Sequence, residues 1–157
     1  MSHTAPHADY AIRRAAAGDL DALVALEQAA FTTDHLSRRQ YAKHLHSDAA
    51  RIFVAMDEGG LLGKAIVFFR KGSDIARLYS IAVADRARGR GIAKALLAQV
   101  EQAARAHGCR RMRLEVSKSN PSAIALYERL GYHRFAERIE YYENGEHAWR
   151  YEKRLVD

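Results

Sequence analysis

The sequence predicts a single mixed α/β domain, and three observations carry that expectation. A chain of 157 residues has room for one core of ordinary size and little room for a second. Its apolar periodicity switches repeatedly between the three-to-four spacing of an amphipathic helix and the alternation of a half-buried strand. Three strand-like runs follow one another with only turn residues between them, which predicts a meander. Hydrophobic residues make up 48% and charged residues 28%, close to globular averages, so a mostly disordered chain is excluded.

Taken in order, residues 1–9 lack periodicity and read as a flexible tail, with His3 and His7 solvated. An extended piece begins at 10–13. Leu20, Leu23, Val24, Leu26, Ala30 and Phe31 then form a helical stripe that Thr32, Thr33 and Asp34 break. Ser37 is placed to cap a polar second helix running to about His46. The period changes at 52–56, which with the turn 57–60 and the run 61–69 makes a hairpin. A turn at 71–74 leads to strand 75–83, where Arg77, Tyr79, Ile81 and Val83 alternate with Leu78, Ser80 and Ala82. A basic loop at 84–91 opens the longest helix, whose stripe of Ile92, Leu96 and Val100 stops at Gly108. Strand 110–116 sets Met112, Leu114 and Val116 against Arg111, Arg113 and Glu115. Asn120 and Pro121 supply an N-cap and a first-turn proline for a short helix with Ile124, Tyr127 and Leu130 on one face. A final hairpin is expected from strands 132–142 and 147–155 around Asn144-Gly145.

Lys and Arg number 25 against 19 Asp and Glu, and the net charge of +6 suits phosphate ligands as well as nucleic acid. Arg110, Arg111 and Arg113 beside Tyr79 suggest a basic surface, but aromatics are not interleaved with basics as in RNA-binding signatures, so no nucleic-acid partner is expected. The one cysteine, Cys109, fits a reducing compartment, hence a cytoplasmic location, and reads as an inert buried thiol. Neither an export signal at the start nor an apolar run of about 18 residues is present, so no membrane partner is expected. Eight scattered histidines and one cysteine make no recognisable ligand set, and no metal is expected.

The run Arg88-Gly89-Arg90-Gly91-Ile92-Ala93-Lys94 joins a strand to a helix, so backbone N–H groups and the positive helix end converge on one spot. Such a spot accepts an anion, glycines let the backbone approach a diphosphate, and Arg86, Arg88, Arg90 and Lys94 add countercharge. The plainer alternative is a glycine-rich connection with a solvated basic rim. A dinucleotide fingerprint is excluded, since Lys94 stands where a third small residue belongs and a hairpin replaces the N-terminal βαβ unit.

These segments, together with Leu114-Glu115-Val116, Asn120-Pro121 through Tyr127, and Leu130-Gly131-Tyr132, resemble the GNAT superfamily of acyl-CoA-dependent N-acyltransferases. Within it the chain is most similar to the bacterial RimI-type acetyltransferases of protein N-termini. The likeness is close over 75–132 and, through element order, extends to most of 10–155. The loop matches the family pattern Arg/Gln-x-x-Gly-x-Gly/Ala at Arg88, Gly91 and Ala93, while Ala84-Asp85 replaces a common Asp-Pro pair. The resemblance implies an α+β fold with a strongly bent, mostly antiparallel sheet flanked by helices. Its central strands, here 75–83 and 110–116, would splay to admit the pantetheine arm of acetyl-CoA.

On the same resemblance, backbone groups of Ile81, Ala82 and Val83 would bond the pantetheine and acetyl groups, with the Val83 N–H as oxyanion donor. Arg88, Gly89, Arg90, Gly91, Ile92, Ala93 and Lys94 would hold the pyrophosphate, and Asn120 would touch the arm. Glu115 would be the general base, directly or through water, and Tyr127 the general acid. Without the resemblance, Glu115 reads as a surface carboxylate balancing Arg111 and Arg113, and Tyr127 as core packing. Tyr141 and Tyr142 resemble paired tyrosines in the substrate hairpin of N-terminal acetyltransferases, and only one of two neighbouring strand residues would face the cleft unless the strand bulges. An ordinary aromatic hairpin is the alternative. The implied activity is direct acetyl transfer to a primary amine, with a peptide or protein N-terminus as acceptor and a small-molecule amine or lysine side chain as the alternative. A monomer or homodimer would carry it out.

Overall fold

The computed structural model describes residues 9–31 and 34–156. Most of the expected tail, and the helix-breaking Thr32 and Thr33, lie outside the described residues. Seven strands form one open sheet: β1 (Ala11–Arg14), β2 (Ala50–Asp57), β3 (Gly60–Phe68), β4 (Ile75–Val83), β5 (Arg111–Ser117), β6 (His133–Arg138) and β7 (Ala148–Arg154). Their order is β1-β2-β3-β4-β5-β7-β6, and every pair is antiparallel except β4 with β5. Helices α1 (Leu20–Ala30), α2 (Arg38–Leu45), α3 (Ile92–Ala106) and α4 (Pro121–Arg129) flank it. The mixed α/β, mostly antiparallel architecture is the one the sequence predicts. A parallel pair needs a crossover, and α3 provides it between β4 and β5.

One face of the sheet packs under α3 and α4 through Ala65, Val67, Leu78, Leu96, Val100, Met112 and Leu114. The other packs under α1 and α2 through Leu23, Leu36, Tyr41, Ile52, Val54 and Ile66. Ser37 caps α2 as expected, in a reciprocal box with Gln40. Gly63 lets α3 sit close, because a Cβ there would lie 2.9 Å from the Ala82 carbonyl oxygen and 3.0 Å from Ile92 Cγ2. Helices α1 and α2 lie over β2, β3 and β4.

Two elements differ from the sequence expectation. Strand β4 does not alternate throughout: Ile66 pairs with Ser80 but Val67 pairs with Leu78, so Tyr79 is an extra residue in a β-bulge. The bulge turns Ile81 and Val83 onto the α3 core, while Arg77 stays on the α1 face. The last hairpin is also shorter, because β6 ends at Arg138 and 139–147 form a loop. Glu140 takes φ 47°, its N–H donates to His147 Nδ1 at 2.9 Å, and the turn at Asn144-Gly145 closes through Gly145 N–H to the Tyr142 carbonyl at 2.9 Å. Backbone donors spent inside the loop cannot join a ladder.

Candidate active site

Strands β4 and β5 pair from Ile75↔Arg111 to Leu78↔Leu114 and no further. Beyond that seam, residues 79–83 and 115–117 diverge, leaving backbone groups of β4 along an open edge. Two hollows adjoin the gap. One, of about 560 Å³, is lined by Val83, the glycine loop, Lys94, Leu126 and Arg129. The other, of about 690 Å³, is lined by Tyr79, Ser80, Ile81, Glu115, Asn120, Tyr127, Tyr141 and Tyr142, among others.

The first hollow is built for an anion. Gly89 and Gly91 hold φ 80° and 74°, and nothing lies within 4 Å of where either Cβ would be. Gly91 is the N-cap of α3 and no side chain caps the helix, so its first-turn N–H groups face the hollow without a protein acceptor among the described residues. Arg88, Lys94 and Arg129 supply positive charge, and among the described residues lining this hollow there is no carboxylate, the nearest partner being Asp85 on the exposed side of Arg88. Arg88 is exposed beside Asp85, whereas Arg90 is turned away, its guanidinium held by Asp9 and Asp57. Ile92 is buried in the core, and Ala93 lines the hollow. An amide cradle with room at both glycines, next to an open strand edge, fits the diphosphate and amide-bearing arm of acetyl-CoA.

Glu27, Asp34, Glu115 and Glu146 line the second hollow, and cations just behind its wall pair with two of them, Lys64 with Glu27 and both Arg77 and Arg150 with Glu115. Tyr127 is 5% exposed, its ring edge-on to Tyr132, and burial pushes its phenol above the ordinary tyrosine value. Its hydroxyl has no hydrogen-bond partner among the described residues. Asn120 caps α4 through Oδ1, which accepts from the Ala123 N–H at 3.2 Å. Glu115 sits between two arginines: Arg77 Nε donates to Oε1 at 2.9 Å and Arg150 Nε to Oε2 at 3.0 Å. The Tyr141 hydroxyl donates to Oε1 at 3.4 Å and accepts from Arg77.

Both tyrosines, not one, reach this hollow, because they leave the strand for the loop; their rings meet edge-on at 4.9 Å. Burial raises both phenols. The loop is anchored where Ser117 and Ser119 donate to Glu146 Oε2 at 2.6 and 2.7 Å. Across the mouth, the Asp34 N–H donates to Glu143 Oε2 at 3.2 Å and the Glu143 N–H to Asp34 Oδ1 at 3.2 Å.

Sequence reasoning passes over a buried network under the floor. Glu27, 2% exposed, accepts from the Tyr41 hydroxyl, from Lys64 Nζ at 3.0 Å and from the Leu36 N–H at 2.9 Å. Lys64 is fully buried and donates also to Ser80 Oγ at 2.7 Å, and burial lowers its ammonium pKa against the pull of Glu27. The available signal was a charge in an apolar setting, Glu27 four residues after Leu23 on the stripe of α1 and Lys64 within the apolar run of β3. Cys109 is buried, which raises its thiol.

Residues 20–132 match the acetyltransferase (GNAT) family. Over 118 residues the chain is 30% identical to N-alpha-acetyltransferase 30 of Schizosaccharomyces pombe, which covers 73% of this chain and 79% of that protein. Over 136 residues it is 38% identical to the mycothiol acetyltransferase of Salinispora tropica, covering 78% of this chain and 44% of that one. The chain spans less than half the length of two of the curated relatives it matches. Among solved structures, the ribosomal-protein-S18-alanine N-acetyltransferase of Escherichia coli superposes with a TM-score of 0.84 at 28% identity, covering 94% of this chain and 95% of that one.

Proposed function

The chain belongs to the acetyltransferase (GNAT) family and is an acyltransferase, and from that premise we propose that it acetylates the terminal α-amine of a peptide or protein in the cytoplasm. The observation that carries this reading is the make-up of the cleft, basic beside the glycine loop and, at the other end, walled by Tyr141 and Tyr142 beside Glu146 and the arginine-held Glu115. An amine arrives at the acidic end as a cation and, once neutral, attacks the thioester carbonyl carbon from there. An α-amine, with a reference pKa about 7.7–8.0, is partly neutral near pH 7, whereas a lysine side chain near 10.4 is not.

Acetyl-CoA, when bound, supplies an acetyl thioester activated toward amines. Amide groups of the glycine loop and the α3 N-terminus, with Arg88 and Lys94, hold the diphosphate in this reading, and the open edge at Ile81 and Val83 aligns the arm, while the Ala82 backbone groups face β3. The Val83 N–H stabilises negative charge on the carbonyl oxygen as the amine nitrogen bonds to carbon and the C–S bond breaks. Glu115, fixed by Arg77 and Arg150, accepts the amine proton through a water. Tyr127 stays protonated and donates a hydrogen bond to the departing sulfur; a phenol holds its proton more tightly than a thiol, so solvent completes the protonation. Tyr141 and Tyr142 wall the amine pocket.

A second reading, a small-molecule amine as acceptor, is favoured by the likeness to mycothiol acetyltransferase and by the Asp34–Glu143 link across the mouth. The test offers a free-amine peptide and the same peptide blocked at its terminus but containing lysine, with mass spectrometry to locate the acetyl group. Acetyl on the α-nitrogen alone is expected. Modification solely of lysine, or solely of small amines, overturns the peptide-terminus reading and leaves the acyltransferase assignment standing.

A further inference from the structure

Next to the amine pocket, the α1 face of the sheet continues over β5 and β7, beyond the strands α1 and α2 pack upon. Register places Arg77, Arg111, Arg113, Glu115, Arg150 and Glu152 on this face: Arg77 pairs with Arg113, Arg113 with Glu152 and Glu115 with Arg150. They form two adjoining triads. Arg77 and Arg150 grip Glu115, while Arg111 and Arg113 grip Glu152, at 3.4 and 2.7 Å. In the two triads four guanidinium groups against two carboxylates leave two unbalanced positive charges, and Arg154, paired with Arg111 in the register, adds another to the face. Each guanidinium offers five N–H donors, and the bonds just named use one or two of each. The bulged Phe135, 42% exposed, lies between Arg113 and Arg150, both 4.9 Å from its ring centroid.

We propose that this face carries the part of the acceptor that follows the amine, and that it selects peptides whose second to fourth residues are acidic. The proposal rests on the peptide reading above and deepens it. Glu115 and Tyr141 belong both to the amine pocket and to the first triad, so a chain anchored by its amine has the arginines as its next neighbours. An extended peptide advances about 3.3 Å per residue, so its next few side chains fall along the two triads. An acceptor with a cationic head and an anionic continuation satisfies both the carboxylate-lined pocket and the arginine face. A polyamine satisfies the first only, because its distal ammonium meets the arginines. Guanidinium groups already held in plane by one carboxylate are also preordered to receive another.

The experiment compares three free-amine peptides of equal length and identical first residue, with acidic, neutral or basic residues at positions two to four, at several salt concentrations. The acidic peptide is expected to exceed the basic one roughly five- to thirtyfold in kcat/KM at low salt, as a few partly exposed charge pairs allow. The ratio should shrink as salt is raised. In Arg111→Gln/Arg113→Gln, shown folded by its melting curve, the ratio should move toward one; the salt series on the unaltered protein stands independently of that variant. Equal use of acidic and basic peptides, a ratio indifferent to salt, or a ratio unchanged in the folded double variant overturns the proposal. So does retention of a short RNA that the double variant loses, without discrimination among peptides. Acetylation of the neutral peptide without discrimination sinks this inference alone, whereas failure of all three peptides beside acetylated small amines sinks the peptide reading with it.

Discussion

Tyr127 is held where packing and the proposed chemistry make compatible demands: the ring is buried, and burial keeps the hydroxyl protonated past the ordinary tyrosine value. Tyr127→Phe should therefore lower kcat about 10- to 100-fold while acetyl-CoA affinity by calorimetry stays within about twofold. A raised phenol is fully protonated below pH 10, so no descending limb of the wild-type pH–rate profile below that pH should vanish in this variant. In the glycine loop, Gly91→Glu puts a side chain on a φ of 74° and a negative charge at the anion cradle. Calorimetry should show acetyl-CoA binding lost with the circular dichroism spectrum unchanged. Beneath the cleft, Lys64→Met should leave Glu27 buried beside Tyr41 without its countercharge and cost about 3–5 kcal/mol, with Glu27→Gln/Lys64→Met recovering part of it in urea melts. The turn at Gly91, the cap at Asn120 and the place of Tyr127 on its short helix were legible in the sequence because each is local. Arg77, Arg150 and Glu27 were not, because each acquires its partner only through strand register or helix docking between segments far apart in the chain.

Helix α3 shows how an element's placement depends on a neighbour's missing atom. Gly63 on β3 faces Ile92 and Leu96, and Gly63→Ala puts a Cβ inside contact distance of both and of the Ala82 carbonyl. Overpacking of this kind costs about 1–3 kcal/mol and should lower Tm by roughly 2–10 °C in calorimetry, with the loop that precedes α3 loosened as well. Most element boundaries were legible to within a residue or two, since α3, α4 and β4 each carry both a period and a stop signal. The β6 end was not. Tyr141 and Tyr142 have strong strand propensity, yet the Glu140 turn and the serine–Glu146 anchor draw them into the cleft. The Tyr79 bulge was equally hidden, because a bulge is a property of two strands' register and leaves no mark on one strand's composition.

At the scale of the molecule, its tyrosines govern the alkaline limit. Burial raises the phenols of Tyr41, Tyr127 and Tyr132. Above pH 10 the unfolded chain ionises these groups while the folded chain does not, so the folded state binds more protons and stability falls as pH rises. Each such phenol contributes a loss of about 1.4 kcal/mol per pH unit. Melting temperature should hold steady toward pH 9 and drop steeply past 10, and Tyr132→Phe should soften the drop. The short parallel seam has a mechanical consequence. Among the described residues, Ile75–Leu78 against Arg111–Leu114 is the one strand pairing that stitches the plate of β1 to β4 to the plate of β5, β7 and β6. A ligand lying in the gap replaces the missing rungs and rivets one plate to the other. Drawn apart by a force on its two ends, the free protein should tear along this line first, and the loaded one should have lost its weakest fracture plane.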